Sequence, residues 1–252
     1  MKWFNLNLPA PAAQLAGDEA LLDWCESGQG EETLLFWEPR ETFVVVGYAN
    51  KVATEVNVEA CQKRGIPVYR RCSGGGTVLQ GHGCLNYALI LRITDDGPLR
   101  NITSANQFIM ERNRAAIETV LPRPQTPDPR PEITICGHTD LALNSQLSTL
   151  NKFSGNSQRR KKNFLLFHGC FLLNADITLI REFLRMPSLQ PGYRACRSHD
   201  DFLTNLKLPA DLVKAALQKA WNATDELQKF PETETQQLAQ QKYSTDAWNL
   251  KL

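Results

Sequence analysis

The sequence predicts a protein built from both strands and helices, on three observations. Short β-branched or aromatic runs of strand length recur over the first two thirds of the chain. Between them lie stretches with apolar residues at helical spacing, chiefly residues 12–26 and 104–121. From about Asp176 onward the chain reads as mostly helical.

Taken in order, residues 12–26 ("AAQLAGDEALLDWCE") read as a helix, and "TLLFWEP" and "TFVVVGY" as two strands joined by a turn at "EPRE". "NVEACQKRG" reads as a helix stopped at Gly65, and "IPVYRR" as a strand leading into "CSGGG". "CLNYALILRI" is the strand that leaves the glycines, and residues 104–121 form a long amphipathic helix. "LPRPQTPDPRPE", with five prolines between positions 122 and 131, reads alone as an interdomain linker or as a long surface loop. Strand-like "EITIC", "DLAL" and "LNKFSG" follow, then a basic turn "QRRKKN" and the strand "FLLFHGCFLL".

The totals narrow the function classes. A chain of 252 residues, 42% hydrophobic and 22% charged, has material for one large domain or two small ones. A formal net charge of +1 argues against a general polyanion binder, so no nucleic-acid partner is expected. Seven cysteines without a C-x-x-C pair argue against a disulfide framework or a structural zinc site. The N-terminus is a poor signal peptide and no apolar run is long enough for a bilayer. The expectation is a cytoplasmic protein with no membrane partner.

Two segments carry chemistry. In "RRCSGGGTVLQGHGCLNY", three glycines leave backbone N–H groups free to converge on an anion. Arg70 and Arg71 precede them with paired donors suited to carboxylate or phosphate, and Ser73 and Thr77 add hydroxyls. Neither the P-loop pattern nor G-x-G-x-x-G is present, and glycine count alone fits a wide turn equally well. In the second segment, Asp140 opens one strand and Lys152 lies on the next, a hairpin pattern that sets a carboxylate beside an amine. Taken singly, Lys152 reads as a solvated side chain and His168 as a hydrogen-bonded structural histidine.

Together these segments resemble the lipoate–protein ligase family, within the wider biotin/lipoate ligase and octanoyltransferase group. "RRCSGGGTVLQGHGCLNY", "GHTDLAL", "NKFSGNSQRR", "HGCFLLNADI" and "DAWNL" stand in that family's order and approximate spacing, from about Gly17 to the C-terminus. The resemblance implies an α+β domain of mixed β-sheets flanked by helices, related to class II synthetase-like cores. It implies one catalytic domain over residues 1–252, without the C-terminal accessory domain of some ligases, and with residues 121–132 as a surface loop.

For chemistry, the resemblance implies ATP- and Mg²⁺-dependent activation of lipoate or octanoate to acyl-AMP. Transfer to one lysine of a lipoyl acceptor domain follows, with or without a separate accessory polypeptide. It places Arg71, Ser73, Gly74, Gly75, Gly76, Thr77, Asn86, Lys152, Ser154, Gly155, His168 and Gly169 against the acyl-adenylate and ATP. Lys152 would reach the carboxyl–phosphate junction, and Asp140 would orient or deprotonate the acceptor amine, or merely pair with Lys152. Arg159, Arg160, Lys161 and Lys162 read as a solvated turn or as a contact for an acidic acceptor domain. No Mg²⁺ ligand set is readable, and His82 and His138 read as polar loop residues.

Three rivals stand beside this reading. An ATP-independent octanoyl or lipoyl transferase would use Cys136 as a thioester nucleophile. The spacing from Cys136 to "DL" and the complete triple glycine favour the ligase pattern, which makes Cys136 a small buried residue ending a strand. A non-catalytic lipoyl-binding protein would have lost the arginine or the lysine, and biotin enzymes usually show "GRGR" here. The chain departs from its relatives at Gln80, where a histidine commonly stands, at Gly81 in place of Asp, and at Cys170 in place of Thr.

Overall fold

A computed structural model describes residues 1–122, 132–144 and 149–252. The strands are β1 (Lys2–Asn5), β2 (Thr33–Trp37), β3 (Phe43–Val46), β4 (Val68–Arg70), β5 (Val78–Gln80), β6 (Cys84–Arg92), β7 (Glu132–Cys136), β8 (Asp140–Asn144), β9 (Leu150–Arg160), β10 (Phe164–Leu172) and β11 (Asp225–Glu226). The helices are α1 (Pro11–Glu26), α2 (Val52–Glu55), α3 (Val58–Arg64), α4 (Ile102–Glu118), α5 (Ile177–Phe183), α6 (His199–Phe202), α7 (Ala210–Ala220), α8 (Glu232–Leu238) and α9 (Asp246–Asn249). Most of the proline-rich stretch expected to be a loop lies outside the described residues. Among the described residues no helix is long and apolar enough to cross a membrane.

Eight strands form one mixed sheet in the order β11-β1-β2-β6-β10-β9-β8-β7, and β4-β3-β5 form a second. Strand β6 is central and buried along almost its whole length, and its side chains divide between two cores. Leu85, Tyr87, Leu89 and Leu91 face helices α4 and α7, packing with Ile109, Met110, Val213 and Leu217. Ala88 and Ile90 face α1 and the small sheet, packing with Leu15, Leu22, Phe43 and Val45. A strand covered on both faces needs apolar residues at every position, which explains why "CLNYALIL" shows no alternation.

The helices begin and end where capping chemistry places them. Pro11 opens α1. The Asn57 side chain caps α3, which stops at Gly65 in the left-handed region. The Asn101 carboxamide accepts from Ser104 N at 2.9 Å to cap α4.

Two expectations are corrected. β2 and β3 do not form a hairpin: β2 pairs with β1 and β6, and β3 pairs with β4 and β5 in the other sheet. Both strands are wholly buried, so each needs cover on two faces and finds its partners elsewhere. The Trp37 and Phe43 rings stack at 6.5 Å where the two sheets meet. Second, Gln158–Arg160 are not turn: β9 runs through Arg160, opposite Leu165 of β10.

Arg70 is fully buried and does not face a ligand. Its Nη1 donates to the carbonyls of Gly47, Tyr48 and Asn50 at 2.8–3.1 Å. Its Nε donates to Trp248 O and its Nη2 to Asn249 O, both at 3.1 Å. Trp248 Nε1 returns a bond to Arg70 O at 2.8 Å, so "DAWNL" is a clasp on β4. Arg70→Met should strand these carbonyls and lower stability by about 3 kcal/mol. Thermal denaturation followed by circular dichroism should show Tm falling by about 10 °C.

Candidate functional site

A cavity of about 670 Å³ lies between the large sheet and the small one. Its floor is a row of paired residues crossing five strands: Trp37 (β2), Asn86 (β6), Cys170 (β10), Gly155 (β9) and Asp140 (β8). Directly opposed residues share a face of the sheet, and all five line the cavity. At about 4.8 Å per strand, the row is about 19 Å long. That length holds an extended acyl chain with a head group at one end.

The glycine loop lines the cavity through Gly75, Gly76 and Thr77. Arg71 lines the cavity beside the loop and braces it. Its Nη2 donates to Gly74 O at 2.6 Å and Gly76 O at 2.7 Å, and its Nε donates to Gly74 O at 3.1 Å. Ser157 Oγ donates to the same Gly74 carbonyl at 2.9 Å. In a trans peptide the N–H points opposite to the C=O. Drawing in these two carbonyls therefore turns the N–H groups of Gly75 and Thr77 away from the guanidinium, and neither has an acceptor among the described residues. Gly75 adopts φ +83°, which a side chain would strain.

The Arg71 side chain, expected at the substrate, thus also holds the loop. Its donors are largely occupied by the loop, and burial pushes its pKa down to about 10. Ser73 does not line the cavity. Its Oγ accepts from Arg71 Nε at 3.2 Å and lies 2.5 Å from His168 Nε2. His168 Nδ1 lies 2.6 Å from Asp18 Oδ2. A carboxylate only accepts, so the proton sits on Nδ1 and Ser73 donates to Nε2. This chain of bonds ties the loop to β10 and α1.

Asp18 was not singled out in the sequence. The signal available was an acidic pair, Asp18–Glu19, inside an apolar helix. Both residues are buried. Glu19 is held by Lys242 at 2.5 Å and by the Tyr243 hydroxyl at 2.8 Å.

Lys152 and Asp140 meet as their hairpin placement predicts, with Nζ 2.7 Å from Oδ1. The register explains how. Leu141 pairs with Ser154 but Ala142 pairs with Lys152, so Phe153 is an extra residue in β9. This bulge turns Lys152 onto the face that carries Asp140 and Gly155. Its amine passes over Gly155, where an added Cβ would lie 2.8 Å from Nζ. The Tyr193 hydroxyl donates to Asp140 Oδ2 at 2.8 Å, a contact the sequence did not reveal. Burial, followed by the Asp140 charge, raises the tyrosine's pKa, so it holds its proton.

Other expected site residues lie at the cavity with different tasks. Asn86 exchanges two 2.9 Å bonds with the Gln80 carboxamide. Thr77 Oγ1 accepts from Asn50 at 3.2 Å. Ser154 is buried against Asn156 at 3.4 Å. Gly169 leaves room for Asn156, whose Oδ1 would lie 1.7 Å from an added Cβ. The basic run is not four free cations: Arg159 donates to Cys72 O at 2.8 Å and Arg160 to Leu99 O at 2.7 Å. Lys161 pairs with Asp23, and Lys162 is exposed.

Cys136 ends β7 and is buried, paired in register with Asp140 and absent from the cavity wall. Burial, and then the Asp140 carboxylate, raise its pKa. Among the described residues no three His, Cys, Asp or Glu side chains gather to hold a metal ion.

Residues 10–221 match the family model for the lipoyl protein ligase A/B catalytic domain. The chain belongs to that family. It is 27% identical to an octanoyltransferase LipM of Anoxybacillus flavithermus, over 96% of this chain and 95% of that protein. It is 26% identical to lipoate-protein ligase A subunit 1 of Thermoplasma acidophilum, over 94% of this chain and 91% of that one. In fold it is similar to the bi-partite lipoate protein ligase of Thermoplasma acidophilum, with a TM-score of 0.77, 22% identity, and coverage of 99% of this chain and 95% of that one. A lipoate-protein ligase A solved with ATP gives a TM-score of 0.76 at 23% identity, over 99% of each chain. The mixed sheets and flanking helices expected from the sequence are those of this catalytic-domain family.

Gly155→Ala should push the Lys152 amine out of its position while leaving the strand intact. The expected outcome is an activity loss of about 10-fold or more with little change in Tm, read by a lipoylation gel shift beside a thermal melt.

Proposed function

We propose that this family member is an ATP-dependent ligase. It would activate lipoate or octanoate to the acyl-adenylate and pass the acyl group to a lysine of a lipoyl acceptor domain. The observation that carries this reading is the place of Asp140, paired with Lys152 by an ion pair and with Cys136 by strand register. A carboxylate beside a buried thiol opposes thiolate formation, which a thioester route requires.

The first half-reaction brings a carboxylate against a phosphate, anion against anion. Positive charge and fixed donors must stand where negative charge builds. The N–H groups of Gly75 and Thr77 supply the donors, and Lys152 the cation. Lys152 lies on β9 three residues from Gly155, the cross-strand partner of Cys170, and its amine reaches over Gly155 on the floor. The apolar wall near Leu15, Trp37, Val45 and Phe153 suits an acyl chain, with Asp18 and His168 at that wall.

The second half-reaction needs an uncharged acceptor amine, and a lysine arrives protonated at neutral pH. As Lys152 turns to the mixed anhydride, Asp140 Oδ1 is released to take that proton. Tyr193 keeps the carboxylate aimed. Mg²⁺ would be carried on the nucleotide phosphates with few protein ligands.

A second reading is favoured by two observations. Cys136 lies on the same cross-strand row as Asp140, and several relatives are named octanoyltransferases. In it, Cys136 would attack an octanoyl thioester directly without ATP.

One assay pair separates the readings. ATP–pyrophosphate exchange dependent on lipoate, retained in Cys136→Ser, is the ligase outcome. Acyl transfer from octanoyl carrier protein without ATP, abolished by Cys136→Ser, is the transferase outcome. Within the ligase reading, Asp140→Asn should leave exchange within about threefold and slow transfer about 100-fold. Equal loss of both half-reactions would remove Asp140 from the proton's path.

A further inference from the structure

Arg194 is a buried cation without a counter-charge. It closes the short turn Gly192–Arg194, is 4% exposed, and lines the cavity. Its Nε donates to Arg197 O at 3.0 Å, and its Nη2 approaches Met186 Sδ at 3.6 Å and His199 Nδ1 at 3.4 Å. Its guanidinium lies 4.7 Å over the Phe202 ring. Every one of these partners is neutral. His199 Nε2 lies 3.2 Å from Arg185 O, which fixes the histidine proton there and leaves Nδ1 as an acceptor. Burial lowers the His199 pKa and keeps that ring uncharged.

The surrounding charges are all engaged elsewhere. Arg197, 5.1 Å from the same ring, donates to the carbonyls of Arg194, Asp201, Leu150 and Tyr193. Asp200 pairs with Arg181 at 2.8 Å, and the Asp201 carboxylate accepts from Ser198 at 2.6 Å. Among the described residues no carboxylate pairs with Arg194 and no acceptor meets its Nη1. An unpaired buried charge is strongly unfavourable, so such a group persists where a ligand supplies the opposite charge.

Position selects the ligand. Arg194 follows Tyr193, whose hydroxyl holds Asp140 and through it Lys152. The guanidinium lines the same cavity as the amine assigned to the mixed anhydride, whose carboxylate partner is bonded to Tyr193, the neighbour of Arg194 in the chain. A planar fork of N–H donors matches phosphoryl oxygens in pairs.

We propose that Arg194 binds the pyrophosphoryl oxygens of the nucleotide, holding the leaving group while the acyl carboxylate attacks; this rests on the ligase reading above.

The test uses the whole chain and inorganic pyrophosphate as probe. Isothermal calorimetry should show wild-type binding, weakened about fivefold in Arg194→Lys and about 10-fold or more in Arg194→Gln. In the exchange assay the same variants should raise the KM for pyrophosphate and leave that for lipoate within twofold, a split that a merely structural role would not give. A folded variant that binds pyrophosphate as tightly as wild type overturns the proposal, as does wild type failing to bind it. If Arg194→Gln does not fold, Arg194→Lys decides alone. The ligase reading fails separately: wild type that binds pyrophosphate through Arg194 yet shows no lipoate-dependent exchange keeps the anion site and loses the ligase.

Discussion

The architecture depends on one interaction, the capture of the Gly74 and Gly76 carbonyls by Arg71. Everything at the head of the cavity follows from which way those two peptide planes point. With the guanidinium behind them, two N–H groups are presented without any side chain in front. Without it, the carbonyls would be free to turn forward and repel an anion. The supports are nested in layers: Ser73, His168 and Asp18 tie the loop to the large sheet and α1, while Arg70 anchors the strand that leads into it. Of two adjacent arginines, both read from sequence as ligand donors, Arg70 is wholly enclosed as internal scaffolding, while Arg71 braces the loop and lines the cavity as well.

The second constraint is the order of charge along the row of opposed residues. Thiol, carboxylate and amine are neighbours at one end of the sheet, and the middle group controls the other two. Asp140 neutralises Lys152, raises the thiol of Cys136 and accepts from Tyr193. A family that includes both ligases and octanoyltransferases can be understood as different settings of such a cluster. Removing the carboxylate would leave an amine free to depress a thiol's pKa. Keeping it opposes ionisation of the thiol and holds the amine in an ion pair.

Much of this was legible in the sequence, and the limits have physical causes. Individual strands and helices were readable because period and capping are local, as at Asn57 and Gly65. Pairing was not, because a strand buried on both faces has no alternation to show which neighbour it prefers. That is why β2 and β3 were expected to be partners. The glycine loop, Lys152, Asp140 and His168 could be named from motif order. Asp18 and Arg194, which line the cavity, and Tyr193, which bonds to Asp140, could not, since each comes from an element distant in the chain. The basic run misled for a related reason: a cationic residue pattern looks solvated until its carbonyl partners, Cys72 O and Leu99 O, are brought to it by folding.

The extra residue at Phe153 has a consequence for how such a site can change. Because side chains alternate along a strand, Lys152, three residues from Gly155, shares its face only through that extra residue; regular pairing with Phe153 retained would swing Lys152 to the opposite side of the sheet. The amine's availability is therefore a matter of counting, not of residue identity. Scans that replace one amino acid by another would pass over Phe153 as an ordinary core aromatic, although the place it takes up in the strand, and not its ring, keeps Lys152 opposite Ala142.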